Sequence, residues 1–170
     1  MEFPDREKLQ KLFPDKSRID KLLHKEKEVN KFESQEKRVY ALVYKSLSLV
    51  MSGKFIEAID AYFDAWNFFD GFRAQETEEN AALLKAKLVS AHKTIFEEMA
   101  KEIDLCCAGD RYNKAMYLYE TLRIFHDKSR KYLDDSMLQE HFKRMEGIYN
   151  SMIAIYKLHH PAGSGEAQDA

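Results

Sequence analysis

Two segments of this chain repeat one pattern: a short turn, then an aromatic residue, an alanine and a tyrosine. Residues 51–62 read MSGKFIEAIDAY, and residues 108–119 read AGDRYNKAMYLY. The aromatic residue, the alanine three positions on and the tyrosine four positions further fall on one face of a helix. A glycine-containing turn directly before such a face is typical of the corner between two antiparallel helices. The pattern therefore predicts two helix hairpins.

The rest of the chain is also compatible with helices alone. Its three prolines, Pro4, Pro14 and Pro161, lie near the two ends, so no proline interrupts a helix between residues 15 and 160. No segment shows the period-two alternation of a strand. A chain of 170 residues with 45% hydrophobic and 33% charged residues suits one mostly helical domain. We expect an all-α fold of about five main helices, preceded by an N-terminal helical arm.

Apolar spacing and capping signals set the expected order of elements. Residues 1–34 are predicted to form the arm, residues 35–160 the helical domain, and the small, polar residues 161–170 a disordered tail. Within the domain, helices are expected over 35–51, 55–69 and 78–107, then from residue 112 and from residue 136.

Residue types at the helix ends and along their faces refine these expectations. Thr77 is a candidate cap for the third helix, Asp134 and Asp135 are candidate caps, and Ser136 with Gln139 has the spacing of a capping box.

The expected seam of the third helix is Leu84, Leu88, His92, Ile95, Met99, Ile103 and Cys106. The expected seam of the fifth is Leu138, Phe142, Met145, Tyr149, Met152 and Tyr156, which is interpreted as core, with a self-association face as the alternative.

Charge and cysteine content exclude several classes of function. The formal net charge of −2 creates no strong field that would favour nucleic acid or an anionic membrane surface. Cys106 and Cys107 are neighbours, which on a helix point roughly 100° apart, so a bond between them is not expected. Two reduced, apolar cysteines fit a cytoplasmic protein, and a redox-active pair is the alternative. The chain shows neither a signal peptide at its start nor an apolar stretch that could span a membrane.

The first repeated segment resembles the tetratricopeptide family in register. The matching positions are Ser46, Gly53, Phe55, Ala58, Tyr62 and Ala65. In the second segment Tyr112, Ala115 and Tyr119 align, whereas Ile103 and Leu122 replace the two small residues and Gly109 lies one position early. The two alanines are 57 positions apart, while the period of the family is about 34. The resemblance implies a hairpin array with lengthened helices.

In that family the first helix of each hairpin lines a concave surface that holds a peptide of a partner protein. Carried over to this chain, the partner-binding positions are Tyr40, Val43, Leu47, Val50 and Met51. The alternative is that the N-terminal arm covers these side chains, which would make them ordinary core. One subclass grips a carboxylate with Lys and Asn, and Val43 and Leu47 stand at the matching positions here, so that ligand class is not expected.

The remaining chemistry-bearing residues point to no catalytic, cofactor or metal site. His92 and His126 fall in apolar seams, where a buried, hydrogen-bonded histidine is the expected role. The spacing of a helical zinc or di-iron site is absent from the sequence. His159 and His160 are adjacent and lie near the tail that is expected to be disordered, so we do not expect them to bind a metal ion specifically. Arg18 and His24 have a spacing similar to the motif of helical ribonuclease domains.

The sequence therefore predicts a non-catalytic scaffold, an adaptor or assembly factor that binds a partner peptide or helix in a groove. No nucleic acid and no membrane are expected as partners, and no cofactor is expected. Two alternatives from other classes stay open. One is a helical-bundle enzyme such as an RNA-cleaving nuclease using Arg18 and His24, and the other is a structural module that dimerises through the last helix.

Overall fold

The computed structural model describes residues 35–160, and this range contains helices and turns but no strand. Helix α1 spans residues 35–51. It is followed by α2 (Phe55–Phe72), a short 3-10 turn (Arg73–Gln75), α3 (Glu78–Ala108), α4 (Tyr112–Ser129) and α5 (Asp135–His159). The all-α prediction is confirmed for the described residues. The predicted arm and tail lie outside them.

The first hairpin joins α1 to α2 through a tight turn at Gly53, whose φ of +71° is a left-handed conformation that glycine adopts without strain. The hydroxyl of Ser46 donates a buried 2.7 Å hydrogen bond to the backbone oxygen of Ala58. Both residues have no exposed surface. Small side chains at this crossing let the two helix backbones approach closely enough for that bond.

Helix α3 is the central element, since α2, α4 and α5 all pack against it. Thr77 caps it as predicted by accepting a 3.3 Å hydrogen bond from the backbone N–H of Asn80. Every residue of the predicted seam is buried: Leu84, Leu88, His92, Ile95, Met99, Ile103 and Cys106. A seam at spacings of three and four places these side chains on one stripe, which explains the side-by-side packing.

Aromatic side chains of α2 form the centre of the core. The ring of Tyr62 meets the ring of Phe125 edge-on at 5.4 Å, and Trp66 stacks on Tyr132 at 4.3 Å. Tyr132 lies in the connection between α4 and α5, so these contacts join the second helix to the last two. Such ring pairs add about 0.5–1.5 kcal/mol beyond their buried area. Helix α2 also runs to Phe72, past the end expected at residue 69.

The last helix begins at a predicted cap but buries a face other than the predicted one. Asp134 caps it as predicted, with its side chain accepting a 2.8 Å hydrogen bond from the backbone N–H of Met137, while Ser136 lies inside the helix. Its buried face consists of Met137, His141, Met145, Ile148 and Met152. Of the predicted seam, Met145 and Met152 are core, whereas Phe142, Tyr149 and Tyr156 are 57%, 42% and 48% exposed.

The physical reason is that apolar residues cover more than half of the circumference of α5. Two adjacent faces of α5 then have apolar residues at spacings of three and four, and the sequence pattern alone does not tell which of the two is buried. His141, which is only 5% exposed, lies on the buried one of these two faces.

In the part of the chain that the structure describes, none of the helices has both the length and the apolar character that a membrane crossing requires.

Candidate functional site

The five predicted partner-binding positions do not share one surface. Val43 and Val50 are buried in the core, at 0% and 3% exposure, so they offer no surface to a partner in this conformation. Tyr40 and Leu47 are partly buried and pack against the core, while Met51 is 75% exposed. The partner-binding role of these residues stays a prediction.

The exposed side of α1 carries a short apolar row adjacent to the buried face. Tyr40, Tyr44, Leu47 and Met51 follow one another at spacings of four, three and four, which places them on one stripe. The ammonium group of Lys87 on α3 lies 5.6 Å from the centre of the Tyr44 ring. The row therefore lies beside α3, and Tyr44 belongs to it although the resemblance did not include that residue.

A larger apolar surface lies on the last two helices. Of the thirteen large apolar side chains that are exposed in the described residues, eight belong to α4 and α5. They are Met116, Tyr117, Ile124, Phe142, Tyr149, Ile153, Tyr156 and Leu158. Single exposed apolar residues are common on any protein, but a concentration of this kind marks an interface.

Tyrosine pairs connect α4 to α5 along the outside of this hairpin. Tyr119 and Tyr149 have ring centres 5.5 Å apart, and Tyr112 meets Tyr156 edge-on at 5.2 Å. Tyr112 and Tyr119 on α4 are partly buried, whereas their partners on α5, Tyr156 and Tyr149, are exposed. Each pair therefore presents its α5 ring to solvent. We define the aromatic strip as these two pairs plus Phe142 and Ile153, which continue it along α5 at helical spacing.

A cavity of about 530 Å³ lies near one end of the aromatic strip, where α4 ends and α5 begins. We call it the end cavity. Its lining residues are His126, Arg130, Asp135, Leu138, Gln139, Phe142 and Lys143. Phe142 belongs to both features, so the cavity and the strip are continuous. Arg130 and Lys143 face a single lining carboxylate, Asp135, which leaves the cavity with an excess of positive charge.

Behind the end cavity three histidines from three helices approach one another. His92 on α3 is fully buried, and His126 on α4 and His141 on α5 are 3% and 5% exposed. The ring centres of His92 and His141 are 5.0 Å apart, and those of His126 and His141 are 6.3 Å apart. We define these three residues as the histidine cluster.

The histidine cluster is short of hydrogen-bond partners. Both ring nitrogens of His92 and the Nδ1 atoms of His126 and His141 are enclosed without a partner. An enclosed polar atom left in this state costs about 1–3 kcal/mol. The expectation that His92 and His126 are buried is confirmed, but the expectation of a hydrogen-bonded ring is wrong for His92. Aromatic rings surround them instead, with Phe125 stacked on His92 at 4.4 Å and Phe96 on His141 at 4.1 Å.

Burial keeps the histidine cluster neutral. It lowers the pKa of His92 to about 3, with smaller contributions from the charges of His141 and His126. It also lowers the pKa of His141 to about 4, and the pKa of His126 falls for the same reason. Desolvation disfavours the charged form of an imidazole, and it outweighs the nearby carboxylates of Asp127 and Glu140.

Sequence reasoning had no expectation for His141. The signal that could have found it is its spacing from Met137, Met145 and Ile148, which makes it one of the buried positions of α5. Helix packing, rather than any local motif, brings it to the other two histidines.

The other candidate groups take structural positions. Cys106 and Cys107 are free and buried, and burial raises the pKa of both thiols, which disfavours the reactive thiolate. Within residues 35–160, no group of three or more histidine, cysteine or acidic side chains is arranged to hold a metal ion. Arg18 and His24, the candidate nuclease pair, lie outside the described residues.

Comparison of the chain with protein-family models, with curated proteins and with solved structures finds no match in any of the three. The tetratricopeptide resemblance stays a prediction from the residues that carry it.

Proposed function

We propose that this chain is a non-catalytic interaction scaffold that binds a helix of a partner protein along the aromatic strip. The observation that carries the proposal is the concentration of exposed large apolar side chains on α4 and α5. Keeping such side chains in water is unfavourable by about 25 cal/mol for each Å² of apolar surface, and a partner that covers them recovers this free energy.

The dimensions of the surface suit a helical partner. From Leu138 in the end cavity to Tyr156 the helix advances eighteen residues, which is about 27 Å at 1.5 Å per residue. A partner helix of about five turns would cover this length. The partner side chains at spacings of three and four would then meet successive rings of the aromatic strip.

The surface is also rigid enough to bind without a large entropic cost. Its rings stand next to buried residues of the same helices, such as Leu122 on α4 and Ile148 on α5, so the core holds the backbone in place. Aromatic side chains have few rotatable bonds and give large contact areas, which makes them frequent anchors of interfaces. Preorganised anchors of this kind raise affinity because little ordering remains to be done on binding.

Charge around the end cavity favours an acidic residue at one end of the partner helix. Arg130 lies 3.7 Å from Asp127, a weak and exposed pair. Lys143 has no carboxylate within ion-pair distance among the described residues. A partner glutamate or aspartate beside Phe142 would reach the ammonium group of Lys143, which gives the partner helix a preferred direction.

The apolar row on α1 is the second candidate surface, because the tetratricopeptide resemblance implies peptide binding on the first helix of each hairpin. It is shorter, and of its members only Tyr44 and Met51 are more than half exposed. The proposal places the protein in the cytoplasm, as composition and the reduced cysteines suggest.

Site-specific photo-crosslinking inside cells tests the proposal and identifies the partner at once. A photoreactive phenylalanine analogue replaces Phe142 or Tyr149 on the aromatic strip, and in control variants it replaces Leu83 or Leu105 on α3. These control side chains are each 60% exposed and lie outside the strip. We expect one crosslinked product that is common to both strip positions and absent from both controls.

The crosslinks also separate the competing surfaces. A product obtained from Met51 and not from Phe142 or Tyr149 would move the binding site to α1 and contradict the proposal. A product with twice the mass of the chain would show that the occupant is a second copy, as the dimer alternative requires. Light scattering of the wild type and of the F142S/Y149S variant then checks self-association directly.

A further inference from the structure

The histidine cluster joins the three helices that make up the second half of the fold. His92 belongs to α3, His126 to α4 and His141 to α5. Helix α3 packs against both α4 and α5. The enclosed nitrogens have no partner, so the cluster contributes no hydrogen bond that would hold the helices together. Its neutral rings act as flat apolar surfaces that stack on one another and on phenylalanines.

We propose that the histidine cluster is an acid-sensitive latch: α4 and α5 stay packed against α3 only while all three rings are neutral. Protonation places positive charges on rings whose centres are 5.0 and 6.3 Å apart and which are at most 5% exposed. Like charges at this distance repel, and each loses its hydration as well. Separation of the hairpin from α3 would relieve both costs.

The surroundings of the cluster supply no net counter-charge. From α2 the ring of Tyr62 lies 5.6 Å from His92, and burial raises the pKa of its phenol, so Tyr62 is uncharged in acid. From α3, Lys93 disfavours the charged form of His141. These two helices therefore offer His92 and His141 nothing that would stabilise a proton.

The last two helices contribute opposing charges that offset one another. On α4, Asp127 favours protonation of His126, whereas Arg130, which follows the helix, opposes it. On α5, Glu140 favours protonation of His141, but its contribution is smaller than those of burial and of His126. In the end cavity Asp135 is accompanied by Lys143. Burial thus dominates at each histidine, and the neutral state is the one that the fold selects.

The pH window follows from the direction of these shifts. An unfolded histidine takes up its proton near pH 6.5, whereas the folded His92 and His141 resist protonation down to about pH 3 and pH 4. Above pH 6.5 both states are neutral and the full stability is present. As the pH falls below 6.5 the open state binds protons that the packed state excludes, so stability is lost until the folded pKa is reached.

Chemical unfolding followed at pH 7 and pH 5 measures the latch. The single tryptophan, Trp66, stacks on Tyr132 in the α4–α5 connection, so its fluorescence reports opening of this region. Between pH 7 and pH 5, linkage predicts that the unfolding equilibrium constant rises about 25-fold for each histidine that stays neutral in the folded state. For His92 and His141 together the rise is about 600-fold. Carboxyl groups titrate mainly below this window and add little.

Variants that cannot be protonated should remove most of this rise. His92→Phe and His141→Phe place phenyl rings among Phe96 and Phe125. In the double variant we expect the rise of the unfolding equilibrium constant between pH 7 and pH 5 to be at least a hundredfold smaller than in the wild type. The control is His160→Asn, which changes an exposed histidine outside the cluster and should retain the wild-type dependence. A double variant with an unchanged pH dependence would overturn the proposal.

Two measurements on the wild-type chain keep the proposal testable if the phenylalanine variants fail to fold. In nuclear magnetic resonance titrations of the folded protein, the ring signals of His92 and His141 should stay at their neutral positions at pH 5.5, and titration of these two rings near pH 6.5 would overturn the latch. In hydrogen exchange at pH 5, corrected for intrinsic rates, protection should fall further in α4 and α5 than in α1. An equal loss across all five helices would show global unfolding and would also overturn it.

Discussion

The turn at Gly53 and the turn at Asp110 have the same backbone conformation, although only the first has glycine at the critical position. Gly53 has a φ of +71° and Asp110 a φ of +56°, and each stands two residues before the aromatic residue that opens the next helix. Gly109 is not the left-handed residue, since its φ is −101°. The second glycine is one position early in the sequence because aspartate performs its role.

Beyond the turns the two repeated units bury different parts of the same pattern. The alanines of both, Ala58 and Ala115, have no exposed surface. Tyr62 of the first unit is also fully buried, whereas Tyr119 of the second is only partly buried and contacts Tyr149. Helix α2 buries nine of its side chains and α4 only six, so α4 leaves a wider side to solvent. The same motif therefore makes core in one place and a surface strip in the other.

The largest effect expected from this comparison is at the two tyrosines. Tyr62→Ala removes a ring that contacts Phe63, Trp66 and Phe125, and it should lower the free energy of unfolding by about 3–5 kcal/mol. Tyr119→Ala removes a partly buried ring that packs against the core and should cost less, about 1–2 kcal/mol. Urea unfolding of both variants checks this. Similar losses would contradict the difference in burial that separates the two units.

Much of the fold follows from helix periodicity, because apolar residues at every third or fourth position of α3 mark its buried face. All seven residues of its predicted seam, from Leu84 to Cys106, are buried, and the buried face also includes Ala91, Phe96 and Ala100. In α5 buried and exposed apolar residues lie side by side, so Phe142 and Tyr149 could not be distinguished from true core positions such as Ile148. The choice depends on which neighbours arrive in three dimensions, and this information is not local.

The candidate site was less predictable for a related reason. Val43 and Val50 were placed in a groove by resemblance to a family whose first helices are open on one side, but here they face the core. The histidine cluster needs three helices to meet, and no spacing within one helix announces it. Sequence patterns report which face of a helix is apolar, while the partners of that face are set by packing.

The buried alanines that the two units share should both lose stability when they are replaced by a larger side chain. Ala58→Leu and Ala115→Leu each push three extra carbon atoms into a filled crossing, so each should lower the free energy of unfolding by about 1–3 kcal/mol. Ala154→Leu, at an exposed position of α5, is the matched control and should change stability by less than about 0.5 kcal/mol. Tolerance at Ala115 alone would mean that the second crossing is looser than the first.

A smaller effect is expected at the first crossing, where only one unit has a hydroxyl. Ser46→Ala removes the hydrogen bond to the Ala58 backbone oxygen and should lower the free energy of unfolding by about 1 kcal/mol. Ile103 stands at the corresponding position of the second unit, which has no such bond to lose. Ser48→Ala is the control, because Ser48 is exposed on the same helix. Equal results at Ser46 and Ser48 would show that the buried bond contributes no net stability.

An effect of similar size, and the one that tests the likeness of the turns most directly, is the difference between glycine and alanine at their left-handed positions. At Gly53 an added Cβ would meet no atom within 4 Å, so Gly53→Ala should lose about 1 kcal/mol through backbone strain alone.

Asp110 requires a comparison of two variants, because its carboxylate also accepts hydrogen bonds from the Tyr112 hydroxyl and pairs with His159. Asp110→Gly and Asp110→Ala both lose these exposed contacts, so the difference between them isolates the backbone. We expect the glycine variant to be more stable than the alanine variant by the same amount, about 1 kcal/mol, in thermal or urea unfolding. If the two variants were equally stable, the turn at Asp110 would not carry the strain that its positive φ implies, and the two turns would be alike in shape but not in energy.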